Sequence, residues 1–490
     1  MNDQIRKLAL VATTLIVVLV VATTYWQSWA AGDLADRQDN QIQRVAQFTI
    51  KRGEIFGTAG RPLARNREER VGGQTLFFRR YPQGGLSAHV VGYSTQSRAR
   101  AGLERSMNDY LTGSNANLTT VLDTALDKLK GTTVTGNSLQ LTLDLKAQRA
   151  AITALGGRCG SVVALDVRTG KVLVMANVPT YDPNVIEGNF GKISEITAPC
   201  EPAAPLINRA TNGLYAPGST FKVVTAAAAI DSGRFTPDSQ FTDPGYCEVY
   251  GKRVNNYDTT RPFGRLDLRE AMRNSVNSVF CNIGKELGAK ELVEYTKRFG
   301  FYSTPPLETP SNERAPSGLY DDGEPFDPKE DTDVDPGRFA FGQERLLVTP
   351  LQMAMVSAAI ANDGVVMRPY VVDRILGPKG AIVTRTKPDE LGRAVKPETA
   401  QAVASMMEAV VESGTGTAAQ VSGLVVGGKT GTAETGVRGS NTTWFICFAG
   451  KSRPEVALAV VVEQQNSTGG QTSAPIARQV LQALFGQTSN

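Results

Sequence analysis

Ser219 and Lys222, in the stretch Tyr215-Ala-Pro-Gly-Ser-Thr-Phe-Lys222, have the types and spacing for covalent catalysis. The serine follows a Pro-Gly turn and opens an apolar helical run. Residues three apart share a helix face, so the two side chains can meet. A serine hydroxyl is a poor nucleophile until a neighbouring base takes its proton. The usual base is histidine, and the chain has one, His89, far upstream in what reads as a separate domain. His89 is expected to be a structural or surface residue of that domain, which leaves Lys222 as the nearest candidate base. Taken alone, Ser219 reads more readily as a helix N-cap and nothing more, a position that favours serine.

Two further patterns change that balance. Ser275-Val-Asn277 falls within a stretch of helical spacing, and Lys429-Thr-Gly-Thr432 within a strand pattern. Gly427, Gly428 and Gly431 leave room beside that strand for another backbone. Alternation puts Thr430 and Thr432 on one face, while Lys429 leaves the other face and reaches a cleft only by its long stem. A lysine desolvated beside a second ammonium, here Lys429, favours the neutral amine, which is the form Lys222 would need to act as base. Ser-x-x-Lys and Ser-x-Asn are weak alone and Lys-Thr-Gly in a strand is moderate; their order along one chain is strong.

The combination Ser-x-x-Lys, Ser-x-Asn and Lys-Thr-Gly is the known signature of serine β-lactamases and penicillin-binding proteins. The chain resembles a class B penicillin-binding protein, a peptidoglycan D,D-transpeptidase, of the short actinobacterial division-associated type. Asn208-Arg-Ala210, Asp182-Pro-Asn184, Phe341-Gly-Gln343 and Gly414-Thr415 extend the resemblance, as do Arg52-Gly53 to Leu63-Ala64 and Gly92 to Glu104 in the N-terminal part. It implies catalytic roles for Ser219 as nucleophile, Lys222 as base and Ser275 as proton relay. It implies substrate contacts from Asn277, Lys429, Thr430, Gly431 and Thr432, and an oxyanion hole from the Ser219 and Thr432 amides. The expected substrates are stem peptides ending in D-Ala-D-Ala, with β-lactam antibiotics as acylators. A β-lactamase would need a carboxylate to activate water, and no Glu-x-x-Leu-Asn follows the Ser-x-Asn pattern. The same acyl-enzyme could also serve a D,D-carboxypeptidase or a β-lactam sensor. A non-catalytic wall or division scaffold is the reading from outside enzymology.

The rest of the chain must position these groups. Its 490 residues allow two or three domains, and 41% hydrophobic with 20% charged residues is ordinary globular composition. A net charge of +4, with no basic stripe interleaved with aromatics, gives no reason to expect nucleic acid. No cofactor is called for, and one histidine without cysteine pairs at metal spacing argues against a metal site. Leu8 to Trp26 carries no charge and approaches the roughly 20 residues needed to cross a bilayer. Arg6 and Lys7 precede it, so by the positive-inside tendency residues 1–7 form a cytoplasmic tip and the remainder is extracytoplasmic. Residues 8–29 are read as a retained anchor in the cell membrane rather than a cleaved signal, because the apolar run exceeds a typical signal core.

Residues 32–145 read as a non-catalytic pedestal of mixed α/β character and 146–490 as the transpeptidase domain, an α+β fold with an antiparallel sheet and helices on both faces. The sheet is expected to combine the hairpin Ser161–Ala176 with strands near Leu424–Glu434, Thr443–Ala449 and Val456–Glu463. The pedestal is too short to hold a glycosyltransferase, so a membrane glycan polymerase and division proteins are the implied partners. Ser303–Gly337, rich in proline and acidic residues, reads as a solvated surface insertion. Five cysteines in an exported chain leave at least one unpaired, and Cys247 with Cys281 is the one pairing considered beside a reading of mostly buried thiols.

Overall fold

The computed structural model describes residues 2–28, 48–96, 99–115, 118–130, 133–260, 262–328, 333–437 and 439–487. Helix Asn2–Ser28 contains a span, Asp3–Trp26, long and apolar enough to cross a membrane, none of it buried against protein. Thr13, Thr14, Thr23 and Thr24 turn their hydroxyls back onto carbonyls four residues earlier, at 2.7–2.9 Å. Their polar atoms are thus satisfied inside the helix, as a hydrocarbon environment demands. The helix fits a single-pass membrane anchor. Gly32–Ile50, whose polar composition reads as a stalk or a first helix, lies almost wholly outside the described residues.

The N-terminal body is built on a six-stranded sheet. In spatial order its strands are Ile382–Arg385, Val372–Leu376, Ser138–Leu141, Ile55–Phe56, Pro62–Val71 and Gln74–Arg80. Two of the six come from beyond residue 370, so the sheet ties distant parts of the chain together. Beneath it, Glu104 is fully buried between two guanidiniums, 2.9 Å from Arg52 and 2.6 Å from Arg79. Burial alone would raise this carboxyl, but the two arginines outweigh it and hold it below the usual carboxylate range. Replacing Glu104 with alanine would strand two buried cations; a loss of about 3–5 kcal/mol in chemical unfolding is expected.

The C-terminal body centres on a five-stranded antiparallel sheet. Its order is Val425–Glu434, Asn441–Gly450, Val456–Gln465, Gly160–Asp166 and Val172–Val178, so the two ends of the domain meet in one sheet as anticipated. Helices Leu145–Leu155 and Ser473–Leu484 pack Ala147, Ala151, Ile476 and Val480 on one face. Helix Pro350–Ala361 packs on the other. That helix is apolar all round and wholly buried, with Thr349 capping its first turn through Gln352 N–H and proline in the position that needs no donor.

The 303–337 stretch corrects its sequence reading. It is no solvated insertion: Leu307, Leu319, Tyr320 and Val334 are buried within it. Gly102 N–H donates to Glu313, and Thr211 Oγ1 donates to the Glu313 carbonyl. The segment therefore braces the N-terminal body against the residues that precede Ser219. Its acidic composition masks the apolar positions between the charges. The cysteines also differ from a reading of mostly free thiols. Cys247–Cys281 is bridged, Cys159–Cys200 forms a second bridge, and Cys447 is free and buried.

Candidate active site

The Pro-Gly turn carries Ser219 into a single 3-10 turn, Gly218–Phe221, which runs directly into helix Lys222–Asp231. Two glycines let three chain segments converge there. A Cβ on Gly431 would lie 2.7 Å from the Pro217 carbonyl oxygen, so the lysine strand packs directly on the turn. Gly342, at φ +79°, has its carbonyl on the Gly218 N–H at 2.9 Å; a Cβ there would lie 2.0 Å from the Gly218 carbonyl oxygen. At Gly427 and Gly428 the expected room is filled otherwise, by the rings of Phe448 and Phe445 from the neighbouring strand. Trp444 and Phe445 are core residues, and Trp444 Nε1 donates to the Ala216 carbonyl at 2.9 Å.

Lys222 is completely buried. Its Nζ donates to the Ser275 carbonyl (2.7 Å), Ser275 Oγ (3.3 Å) and Asn277 Oδ1 (2.7 Å). None of these bonds goes to Ser219, which is half-buried one turn earlier. Catalytic contacts often tighten only once substrate is bound. Lys429, also fully buried, donates to Ser275 Oγ at 2.8 Å and to the Thr430 carbonyl at 3.1 Å. Ser275 Oγ thus accepts from both amines and keeps its own proton free to donate. Burial pushes Lys222 well below the usual lysine range, and the charge of Lys429 adds to that push. Burial alone pushes Lys429 down to about 7.

Ser275 is not inside a helix, contrary to the spacing. It ends helix Leu268–Asn274 in the left-handed region, at φ 59°, and helix Asn277–Leu287 begins two residues later. Such a backbone is uncommon for serine. It aims both the carbonyl and the hydroxyl of Ser275 at Lys222. Thr430 and Thr432 share the other strand face: Thr430 Oγ1 lies 2.6 Å from Thr415 Oγ1, and Thr432 Oγ1 accepts from Gly469 N–H at 3.2 Å. The eight site positions read from the sequence therefore lie in three adjoining segments. Sequence reasoning missed the direct contact of Thr415 with Thr430, and the cluster in which Glu463 accepts from both Arg209 (2.8 Å) and Tyr215 (2.7 Å). Only the pairing of distant strands brings Glu463 to the Tyr215 segment. His89 is remote from this chemistry. It is buried, with Nε2 donating to the Pro205 carbonyl at 2.8 Å, and burial pushes it down to about 4.

A half-buried serine one turn from a fully buried lysine, at the edge of a five-stranded antiparallel sheet, fits the serine acyl-transfer class that the motifs suggested. Residues 160–482 match the penicillin binding protein transpeptidase domain, and residues 52–139 match the penicillin binding protein A dimerisation domain. The chain belongs to the penicillin-binding protein transpeptidase family. It is 32% identical over 517 residues to the peptidoglycan D,D-transpeptidase PbpA of Mycolicibacterium smegmatis, covering 100% of both chains. It is 32% identical over 509 residues to PbpA of Mycobacterium tuberculosis H37Rv, covering 99% of each. Among solved structures it is similar to penicillin-binding protein A from M. tuberculosis as an imipenem acyl-enzyme complex, with 31% identity and a TM-score of 0.79 over 90% of this chain and 100% of that one.

Proposed function

We propose that this protein is a peptidoglycan D,D-transpeptidase that works through a Ser219 acyl-enzyme. The observation that carries the reading is the buried Lys222 amine, depressed by desolvation and by Lys429, one helical turn from the serine. Lys222 takes the Ser219 proton as Oγ attacks the carbonyl of the penultimate D-Ala. The Ser219 and Thr432 amides hold the oxyanion; one such donor is typically worth about 10²–10³ in kcat. Ser275, bridging the two lysines, delivers a proton to the departing D-Ala. Asn277 orients the substrate amide. Lys429, Thr430 and Thr432 hold the terminal carboxylate, with Gly431 letting the strand close on the turn. An amine from a neighbouring stem peptide resolves the acyl-enzyme. β-Lactams acylate the same serine and leave slowly.

The division into a pedestal (residues 32–145) and a transpeptidase domain (146–490) belongs to the same proposal, as does an extracytoplasmic orientation with residues 1–7 inside. A separate glycan polymerase must supply the strands, together with division proteins as partners. The direct test is incubation with a stem-peptide mimic ending in D-Ala-D-Ala plus an acceptor amine. Cross-linked product is expected; hydrolysed product alone would make the protein a carboxypeptidase.

The two lysines also predict a pH dependence. Below its depressed value Lys222 is an ammonium and cannot act as base. It carries the push of the Lys429 charge in addition to burial, so it deprotonates first as pH rises. Above about 7 Lys429 loses the charge that attracts the substrate carboxylate. The second-order rate of penicillin acylation should therefore be bell-shaped in pH, with its descending limb near about 7. Lys429→Arg, which keeps its charge throughout, should remove the descending limb. A descending limb unchanged in that variant would contradict the assignment of Lys429.

A further inference from the structure

Helix Asn277–Leu287 begins with the residue that holds Lys222, yet it lacks a cap of its own. Its N-cap residue is Val276, which has no side-chain acceptor for the free N–H groups of the first turn. The cap comes from elsewhere in the chain. Asn256 Oδ1 accepts from the Ser278 N–H at 3.0 Å, and Asp243 accepts from Ser278 Oγ at 2.5 Å.

Asp243 is itself the centre of a closed cluster. It ends strand Gln240–Asp243 and is 1% exposed. Its Oδ1 also accepts from Gly245 N–H (2.8 Å) and Asn256 Nδ2 (3.0 Å), and its Oδ2 from Asn256 Nδ2 (2.9 Å) and Phe263 N–H (2.8 Å). Every partner is a donor, so the position demands a group that only accepts. The negative charge also sits against a helix N-terminus, where it is favourable. Next to this cluster, Asn277 Nδ2 donates to the Asn255 carbonyl at 3.0 Å while its Oδ1 receives Lys222. The Cys247–Cys281 bridge ties the same segment to the next turn of the helix.

We propose that Asp243 is a positioning residue for the acylation step: through Asn256 and Ser278 it fixes the start of helix Asn277–Leu287, and so the Asn277 amide on which Lys222 rests. The proposal rests on the reading of Ser219 and Lys222 as nucleophile and base. Asp243 touches neither substrate nor the reacting atoms. Its effect must therefore fall on the first-order acylation constant and not on the initial binding of the antibiotic.

The test is acylation of the full-length protein in detergent by penicillin G, over a range of concentrations that separates the dissociation constant of the first complex from the acylation constant. Asp243→Asn places an NH2 group against backbone and side-chain donors. It should lower the acylation constant by about 10- to 100-fold, as small misplacements of catalytic groups do, with the dissociation constant nearly unchanged. Ser278→Ala removes one donor, leaves the carboxylate in place, and should cost about three- to tenfold. The exchange Asp243→Asn with Asn256→Asp restores a carboxylate facing Ser278 N–H and should recover part of the loss. Thermal melts identify any variant that fails to fold; should Asp243→Asn be one, Ser278→Ala and the double exchange decide. Wild-type acylation constants in folded variants, or a change confined to the dissociation constant, would overturn the positioning role. A wild-type protein that is not acylated would instead remove the functional reading, and the proposal with it.

Discussion

Ser219→Ala should abolish covalent labelling by penicillin, with a loss of at least about 10³-fold, while the melting temperature stays within about 2 °C of the wild type. The size of the loss follows from chemistry, because the neighbouring hydroxyls are engaged elsewhere: Thr220 Oγ1 donates to the Pro217 carbonyl, and Ser275 Oγ accepts from both lysines. The small change in stability follows from packing. Ser219 is half-buried, and its turn is held by other bonds: Gly218 N–H to the Gly342 carbonyl at 2.9 Å, and Thr220 Oγ1 to the Pro217 carbonyl at 2.8 Å. Removal of one Oγ leaves both in place. Labelling of the alanine variant would move the nucleophile elsewhere; a large loss of stability would make Ser219 a structural cap after all.

Lys222→Met should reduce acylation by a similar factor and separate catalysis from packing. Methionine fills much of the volume of the lysine stem but offers no base. Alanine would also abolish labelling, though with an added cost from the cavity it opens. The stability of the methionine variant carries a sign that can be worked out. The native state pushes Lys222 below its ordinary value of 10.5. Between the depressed value and 10.5 the unfolded chain therefore holds more protons than the folded one, and wild-type stability rises with pH. Lys222→Met removes that slope contribution, so its gain relative to wild type should be greatest at and below the depressed value and shrink as pH rises toward 10.5. Denaturant melts at several pH values measure this directly. A variant that acylates at the wild-type rate would require another base; a variant much less stable near pH 7 would mean that the amine is held there for structure.

The chemistry was more legible in the sequence than the scaffold that holds it. Ser219 and Lys222 lie within four residues, so helical spacing alone could join them. The Lys429–Thr432 strand advertised its alternation and its glycines. The three C-terminal strands and the Ser161–Ala176 hairpin were readable as one sheet because each had the period of a half-buried or buried strand. The break at Ser275 was hidden, since Arg273-Asn-Ser-Val-Asn-Ser-Val279 continues an acceptable helical pattern and nothing local demands a left-handed serine. That backbone is imposed by its neighbours: Val276 N–H bonds the Ala271 carbonyl, and the Ser275 carbonyl is turned onto Lys222.

Long-range partnerships were equally hidden. Val372–Leu376 joins the N-terminal sheet by pairing with Ser138–Leu141, more than 200 residues away in sequence, and no periodicity reports a pairing partner. Cys159 and Cys200 are separated by 41 residues and a proline-rich passage, which gave no sign that they meet. Asp243 carries no local signal in the sequence. Its significance depends on four donors that converge from Gly245, Asn256, Phe263 and Ser278. Local pattern thus exposed the candidate reacting groups, and tertiary structure alone exposed the contacts around them.

The most direct measurement is the intact mass of the full-length protein after exposure to penicillin G, followed by mapping of the modified peptide. The account predicts a gain of one antibiotic mass, carried by the peptide that contains Ser219, which persists long after free drug is removed. An unmodified mass in a folded protein, or an adduct on any other peptide, would contradict it.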